Sequence, residues 1–152
     1  MMVLNNDNKK IMIDIYMKKS EKAFEAAVAL SKMDDQYDAA ANRAYYSIFQ
    51  SENALLLTKG ILGNSHKHVH NAISKEFVQS GELSSDTFKK IYKVLGIRVT
   101  GDYSGTEFVT KEEMEKAIYG AREFLDNAKK LIAEFKLEQE KEKEAEFNTQ
   151  KD

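Results

Sequence analysis

The sequence predicts an all-α fold, and three observations lead there. Proline is absent and glycine occurs only seven times, so little in the chain interrupts a helix. Hydrophobic residues make up 42% and charged residues 32%, a balance suited to helices with one buried stripe and one solvated face. Apolar residues also recur at three- and four-residue intervals through most of the chain. At 152 residues there is length for one domain with a real core, and too little for two comfortable ones.

The first helix is expected from about Asn8 to Ser31, with Ile11, Ile15, Ala23, Ala26, Ala27 and Leu30 on its apolar face. A polar break at Met33-Asp34-Asp35-Gln36 follows, where Asp34 or Asp35 can cap a second helix. That helix carries Tyr37, Ala41, Ala44, Ile48 and Leu55 on one stripe and ends near Gly60. Gly60 to Ser65 reads as a turn, with Ser65 capping a short helix that holds Val69, Ile73 and Phe77, closed by Ser80-Gly81. Ser84 or Ser85 then caps a helix with Phe88, Ile91, Val94 and Leu95 inward, running to Arg98 before Gly101 and Gly105 loosen the chain. Thr110-Lys111-Glu112-Glu113 has capping-box spacing, and a regular stripe from Met114 through Ala121, Leu125 and Ala128 to Phe135 follows it. Residues 1–136 form the expected helical domain. Residues 137–152 lose the stripe in a run of Glu and Lys and read as a charged, solvated extension that frays.

The formal charge of -2, from 23 basic and 25 acidic residues, gives no global pull toward phosphate, which argues against extended duplex binding by electrostatics alone and leaves room for a local basic site. Without cysteine there are no disulfides or thiolate metal sites, and the economical location is the cytoplasm. No apolar run approaches the roughly 20 residues needed to span a bilayer, and Met1 to Lys10 lacks the apolar core of a signal peptide, so no membrane association is expected.

Two Arg-Tyr groups stand out, because the chain has only three arginines, Arg43, Arg98 and Arg122, among its 23 basic residues. An arginine beside tyrosines suggests planar, hydrogen-bonding contacts to a ligand, where lysine would serve for solubility. In the first group, Asn42-Arg43-Ala44-Tyr45-Tyr46-Ser47, helical spacing puts Arg43, Tyr46, Ser47 and Gln50 on one face. That face is equally consistent with tyrosines at the edge of the core and a surface cation. The second group is Arg98, Asp102 and Tyr103 near a helix end. It offers anion binding by Arg and proton handling by Asp or Tyr, or simply an Arg98-Asp102 ion pair.

The three histidines cluster in Ser65-His66-Lys67-His68-Val69-His70, where His66 and His70 share a helical face. With no acidic residue or Cys in the same stretch, this pattern favours acid-base work by one histidine over a metal site. No phosphate loop, Ser-His-Asp order or zinc-knuckle pattern is present, and no cofactor is implied.

Taken in order, Asn42 to Phe49, Ala54-Leu55-Leu56-Leu57 with Gly60, Ser65-His66, Arg98 with Asp102-Tyr103, and Ala121-Arg122-Glu123-Phe124-Leu125 closely resemble the HEPN domain family, over residues 10 to 135. The resemblance implies an antiparallel four-helix bundle with an additional short helix, paired into a homodimer whose cleft holds the functional residues. It implies a nucleotide- or RNA-interacting role in a prokaryotic toxin-antitoxin or defence system, beside a minimal nucleotidyltransferase that acts as antitoxin. Many members resemble metal-independent endoribonucleases, with an Arg followed after four to six residues by His. The alternatives are a non-catalytic module that binds a nucleotide or the partner, and a non-catalytic helical dimerisation module whose aromatic residues serve packing. Here Arg98 matches the Arg, but Val99 to Ser104 contain no His, and His66 from a neighbouring helix is the candidate for that role. The resemblance places Arg98, Asp102, Tyr103 and His66 in the catalytic group, and Asn42, Arg43 and Tyr46 on the nucleotide or single-stranded RNA. Tyr103 is the nearest match to a tyrosine that the partner enzyme modifies with AMP.

Overall fold

The computed structural model describes residues 5–103 and 105–150. Within them are five α-helices: α1 (Asn6–Ser31), α2 (Tyr37–Thr58), α3 (His66–Ile73), α4 (Ser85–Tyr103) and α5 (Lys111–Gln150). A π-helical turn, Ser74–Val78, continues α3. The all-α class expected from the sequence is the one observed.

Pairings between helices set their directions. Glu21, Asp14 and Asp7 of α1 meet Lys129, Lys136 and Lys143 of α5 in reverse order, and Asn42 and Tyr45 of α2 meet Asp102 and Arg98 of α4 in reverse order. Short turns join α1 to α2 and α4 to α5, so α1, α2, α4 and α5 run up, down, up, down, with α3 laid beside α2. The central helix is α2, which packs against all four others. Near its C-terminal end, Ser51 to Leu57 are buried on every side.

The α1–α2 seam is built from small residues. Ala23 and Ala27 of α1 and Ala40, Ala41 and Ala44 of α2 are buried, and Ser20 donates its hydroxyl to the Ser47 carbonyl at 2.6 Å in full burial. Small side chains let two helices approach closely, and each buried hydroxyl then needs a partner in the seam. Ser47 therefore belongs to this seam and not to the polar face where its spacing from Arg43 puts it.

The inward stripe of α1 is Ile13, Ser20, Phe24 and Ala27, with Met17 partly buried, a 3- and 4-residue rhythm. Ile11 and Ile15, expected on that stripe, are 56% and 50% exposed. Each lies two residues from Ile13, about 200° around a helix, so all three cannot face one core.

Neither Asp34 nor Asp35 caps α2. Asp35 takes a left-handed backbone at φ 57°, and the cap position falls to Gln36, whose side chain makes no capping hydrogen bond. The other caps follow the sequence. Ser65 accepts from His68 N at 3.1 Å and Ser84 from Thr87 N at 3.1 Å, while Thr110 and Glu113 bond each other's backbone N–H, both at 3.1 Å.

Gly101 does not loosen α4, which continues to Tyr103. A Cβ there would lie 3.0 Å from Val109 Cγ2 and 3.2 Å from Asp38 Cβ, so glycine is what lets the last turn of α4 close onto α2 and the following loop. Asp38 completes that closure by accepting from Val109 N at 2.7 Å.

Where the sequence reading expects a frayed extension, α5 remains helical to Gln150. The Asp7–Lys143 pair joins this stretch to the start of α1, with Asp14–Lys136 just before it, and the last buried residue of α5 is Ile132. The extension is solvated, as its composition requires. No helix among the described residues is long and apolar enough to cross a membrane.

These two regions should respond differently to mutation. Leu56→Ala, in the fully buried stretch of α2, should lower the free energy of unfolding by about 2–5 kcal/mol in urea titration. Ending the chain after residue 137 removes no buried residue of α5 and should cost less than about 1 kcal/mol.

Candidate functional site

The site grows from Tyr45, whose ring is fully buried at the junction of α2, α3 and α4. Its hydroxyl lies 2.7 Å from Nδ1 of His66 and 2.9 Å from Nε2 of His70. Because His66 and His70 are four residues apart, one turn of α3 presents both imidazoles to that one hydroxyl. The second nitrogen of His70, Nδ1, lies 2.9 Å from Oε2 of Glu52, a carboxyl with no exposed surface. Burial raises the Glu52 pKa, opposed in part by the His70 hydrogen bond. Burial is also the first cause that pushes the Tyr45 hydroxyl well above its ordinary range, with the Glu52 charge adding to it.

His66 is held as a flat plate. Phe49 stacks on it at 4.1 Å between centroids and 7° between planes, while Tyr45 stacks at 5.7 Å and Tyr46 stands edge-on at 6.2 Å. Its pKa is lowered, first by burial, then by the positive charge of Arg98 and by His70. The imidazole is therefore biased to its neutral form.

Arg98 comes from the opposite side. Its Cζ lies 4.9 Å from the Tyr45 ring centroid and 5.5 Å from those of Tyr46 and Tyr103, so the guanidinium rests on an aromatic platform. Asp102 Oδ2 is 3.0 Å from Arg98 Nε, but Nε has no acceptor in line for a hydrogen bond among the described residues. The contact is thus a charge pair more than a directed bond, and the same oxygen accepts from Asn42 Nδ2 at 2.7 Å. Asn42 Oδ1 in turn accepts from Arg43 Nη2 at 3.1 Å, and the Arg43 guanidinium lies 4.7 Å above the Tyr46 ring. Tyr103, 69% exposed, closes the row with its hydroxyl 3.4 Å from Arg98 Nη2.

The residues assigned to the catalytic and nucleotide groups come together in this one cluster: Asn42, Arg43 and Tyr46 from α2, His66 from α3, and Arg98, Asp102 and Tyr103 from α4. The sequence reading missed Glu52, named His70 only as sharing a helical face with His66, and left Tyr45 at the core edge. A signal for them was present. Glu52 is a lone carboxylate within an otherwise uncharged run of α2, seven residues after Tyr45 and so on the same face, and His70 repeats His66 one turn later.

Chemically, the cluster sets two guanidinium groups and Asn42 beside a neutral imidazole, an arrangement suited to an anion with a nearby proton to move. No group of three or more His, Cys, Asp or Glu among the described residues is placed to hold a metal ion. A groove of about 470 Å³ between α4 and α5, lined by Lys90, Lys93, Glu112, Glu115, Lys116 and Tyr119, shares no residue with the cluster. Its cations and carboxylates are intermixed and hold no convergent set, so the Tyr45 cluster carries the functional weight.

The electrostatics can be read by NMR titration. His66 should titrate below the ordinary histidine value of about 6.5. In Arg98→Gln its midpoint should move upward, because removing a neighbouring positive charge favours the imidazolium; an unchanged midpoint would separate the two groups electrostatically.

Comparison with known proteins shows the family. The HEPN domain model matches residues 13–131, which hold the whole cluster. A Methanocaldococcus jannaschii protein named "Putative toxin MJ0142" is 37% identical over 116 residues, covering 76% of this chain and 78% of that protein. A second protein from the same organism, "Putative toxin MJ0605", is 36% identical over 132 residues, or 87% of this chain and 96% of its own. The "UPF0332 protein" of Thermotoga maritima is 32% identical over 131 residues, 86% of this chain and 98% of its own. With a family model spanning most of the helical bundle and relatives that align along most of their length, this chain belongs to the HEPN domain family.

Proposed function

We propose that this chain is a toxin-type HEPN protein that binds the phosphate of single-stranded RNA and cleaves the strand without a metal. The observation that carries the reading is the shared Tyr45-Tyr46 platform, with Arg98 resting on it from α4 and His66 packed against it from α3. The names of the two archaeal relatives support the toxin class.

In this reading Arg98 and Arg43 hold the phosphate, and Tyr46 offers a face on which a base can stack. Nε2 of His66 takes the proton of the ribose 2′-hydroxyl. The 2′-oxygen then bonds to phosphorus, the bond to the 5′-oxygen breaks, and that oxygen takes a proton from solvent. A 2′,3′-cyclic phosphate and a 5′-hydroxyl result. The lowered pKa of His66 suits the step, because a base must be unprotonated before it acts. His66 thus takes the part that the position after Arg98 fills in the Arg...His pattern.

The partners follow from the same reading. A homodimer would set two such clusters side by side, with the exposed Tyr92 and Val99 of α4 at the seam. A nucleotidyltransferase antitoxin would find Tyr103 accessible at the end of α4, and an AMP added to its hydroxyl would put a phosphate beside the Arg98 guanidinium, in competition with RNA. A second reading, a non-catalytic nucleotide-binding module, draws support from Asp102, which already pairs with Arg98 and weakens its hold on a substrate phosphate.

The test is cleavage of single-stranded RNA in chelator across pH 5 to 9. Wild type should cut, its rate should rise with pH through the acid range and level off near neutrality, and Arg98→Ala or His66→Gln should lose on the order of a hundredfold in kcat/KM. Intact RNA throughout, with tight binding of a nucleotide that Arg98→Ala abolishes, would establish the second reading instead.

A further inference from the structure

Glu52, His70 and Tyr45 have no part in the reaction as written above, yet they form an unbroken hydrogen-bonded chain from the centre of the bundle to His66. The links are Glu52 Oε2 to His70 Nδ1 at 2.9 Å, His70 Nε2 to the Tyr45 hydroxyl at 2.9 Å, and that hydroxyl to His66 Nδ1 at 2.7 Å. We propose that this chain is a proton relay: it fixes His66 with its proton on Nδ1, and it stores on Glu52 the proton that Nε2 takes up.

The hydrogen-bond inventory admits two consistent arrangements. In the first, Glu52 is ionised and accepts from His70 Nδ1–H, Tyr45 donates to His70 Nε2, and His66 Nδ1–H donates to the Tyr45 oxygen. His66 Nε2 then carries a lone pair. In the second, every bond is reversed: Glu52 is protonated and donates to His70 Nδ1, His70 Nε2–H donates to Tyr45, Tyr45 donates to His66 Nδ1, and Nε2 carries a proton. One proton added at Nε2 converts the first into the second. The Nδ1 proton of His66 passes to Tyr45, the Tyr45 proton to His70 Nε2, and the His70 Nδ1 proton to the Glu52 carboxylate. Both imidazoles and the phenol end neutral. When product leaves, the shifts run backward and Nε2 releases the proton to water.

The surroundings favour this route over a simple imidazolium. The groups facing His66 are Tyr45 and Tyr46 from α2, His70 from α3, and Arg98 from α4 with Asp102 and Tyr103 attached to it. A positive His66 would stand against Arg98, the residue that holds the phosphate. At the other end, Glu52 is fully buried, its Oε1 has no hydrogen-bond partner among the described residues, and its environment favours the protonated acid. Tyr92 of α4 packs against His70 and completes the enclosure of the chain. Glu52, His70 and Tyr45 are in this account positioning residues, acting through His66.

The assignment of His66 as a base rests on the proposed RNA cleavage, but the relay can be read without RNA. In the full chain labelled with ¹⁵N and ¹³C, the imidazole nitrogens and the Glu52 carboxyl carbon are followed by NMR as pH falls from 8. The expected result is Nδ1–H on His66 at the start. The first proton should then appear as a shift of the Glu52 carboxyl, with His66 changing to Nε2–H while remaining neutral. In Glu52→Gln the first proton should instead make an imidazolium, and in Tyr45→Phe the two events should separate. A wild-type His66 that is Nε2–H at the outset, or that becomes an imidazolium before Glu52 is protonated, would overturn the relay. Where cleavage is measured, Glu52→Gln should lower kcat on the order of tenfold with KM unchanged. RNA left intact by wild type would remove the cleavage reading and leave the titration result standing.

Discussion

The hydroxyl of Tyr45 is a polar atom held inside the bundle, and most of the molecule's organisation is arranged around satisfying it. A buried phenol needs partners. Two imidazoles from α3 supply them, which requires α3 to lie flat against α2 with one face turned inward; Ser65, capping the helix, sets where that turn begins. His70 then needs a partner for its other nitrogen, and Glu52 provides it from α2, one α-helical heptad beyond Tyr45. The ring of the same tyrosine supports Arg98 of α4. Three helices are therefore joined through one side chain, and the cleft is an extension of the core and not an addition to its surface.

This dependence explains why the cluster is polar and yet joined to the core. Phe49 and Tyr46 enclose His66, and Asn42 links Asp102 to Arg43, so the cations are oriented by neighbours that are themselves held by α2. The charges are not in balance along it. Arg98 and Arg43 lie partly buried at one end, whereas at the fully buried end the single carboxyl of Glu52 has His70 as its hydrogen-bond partner. Such a gradient, cations at the mouth and a proton-accepting group at the base, suits an anionic ligand that must give up a proton. The near-neutral overall charge of the chain says nothing of it, because the charges that matter are few and local.

Much of the fold was legible from periodicity and caps. The stripe of α5 and the reciprocal Thr110-Glu113 bonds lie where the spacing puts them, and Val69, Ile73 and Phe77 are buried as expected. The misreadings share a cause. Ile11 and Ile15 look like core because they are isoleucines, but α1 buries its N-terminal half through Ile13, and the choice between those faces depends on where α2 and α5 lie. Gly101 looks like a breaker because an isolated helix pays for glycine, whereas here the close approach of Asp38 and Val109 needs it. The charged end of α5 looks frayed because its own sequence holds no stripe, and Asp7 of α1, which meets Lys143 there, is more than a hundred residues earlier.

The residue types of the cleft were also legible, since scarce arginines beside tyrosines and a histidine cluster are visible without coordinates. What the sequence by itself determined is therefore the helical class, the order of the helices, and the inventory of groups from which a site can be made, because these depend on local propensity and on spacing within one helix. Only the tertiary structure decided that Glu52, His70, Tyr45 and His66 form one chain and that Arg98 meets it. The reason is that their contacts join α2, α3 and α4, and the rotation of each helix about its own axis is set by packing against its neighbours, which no single segment of sequence contains.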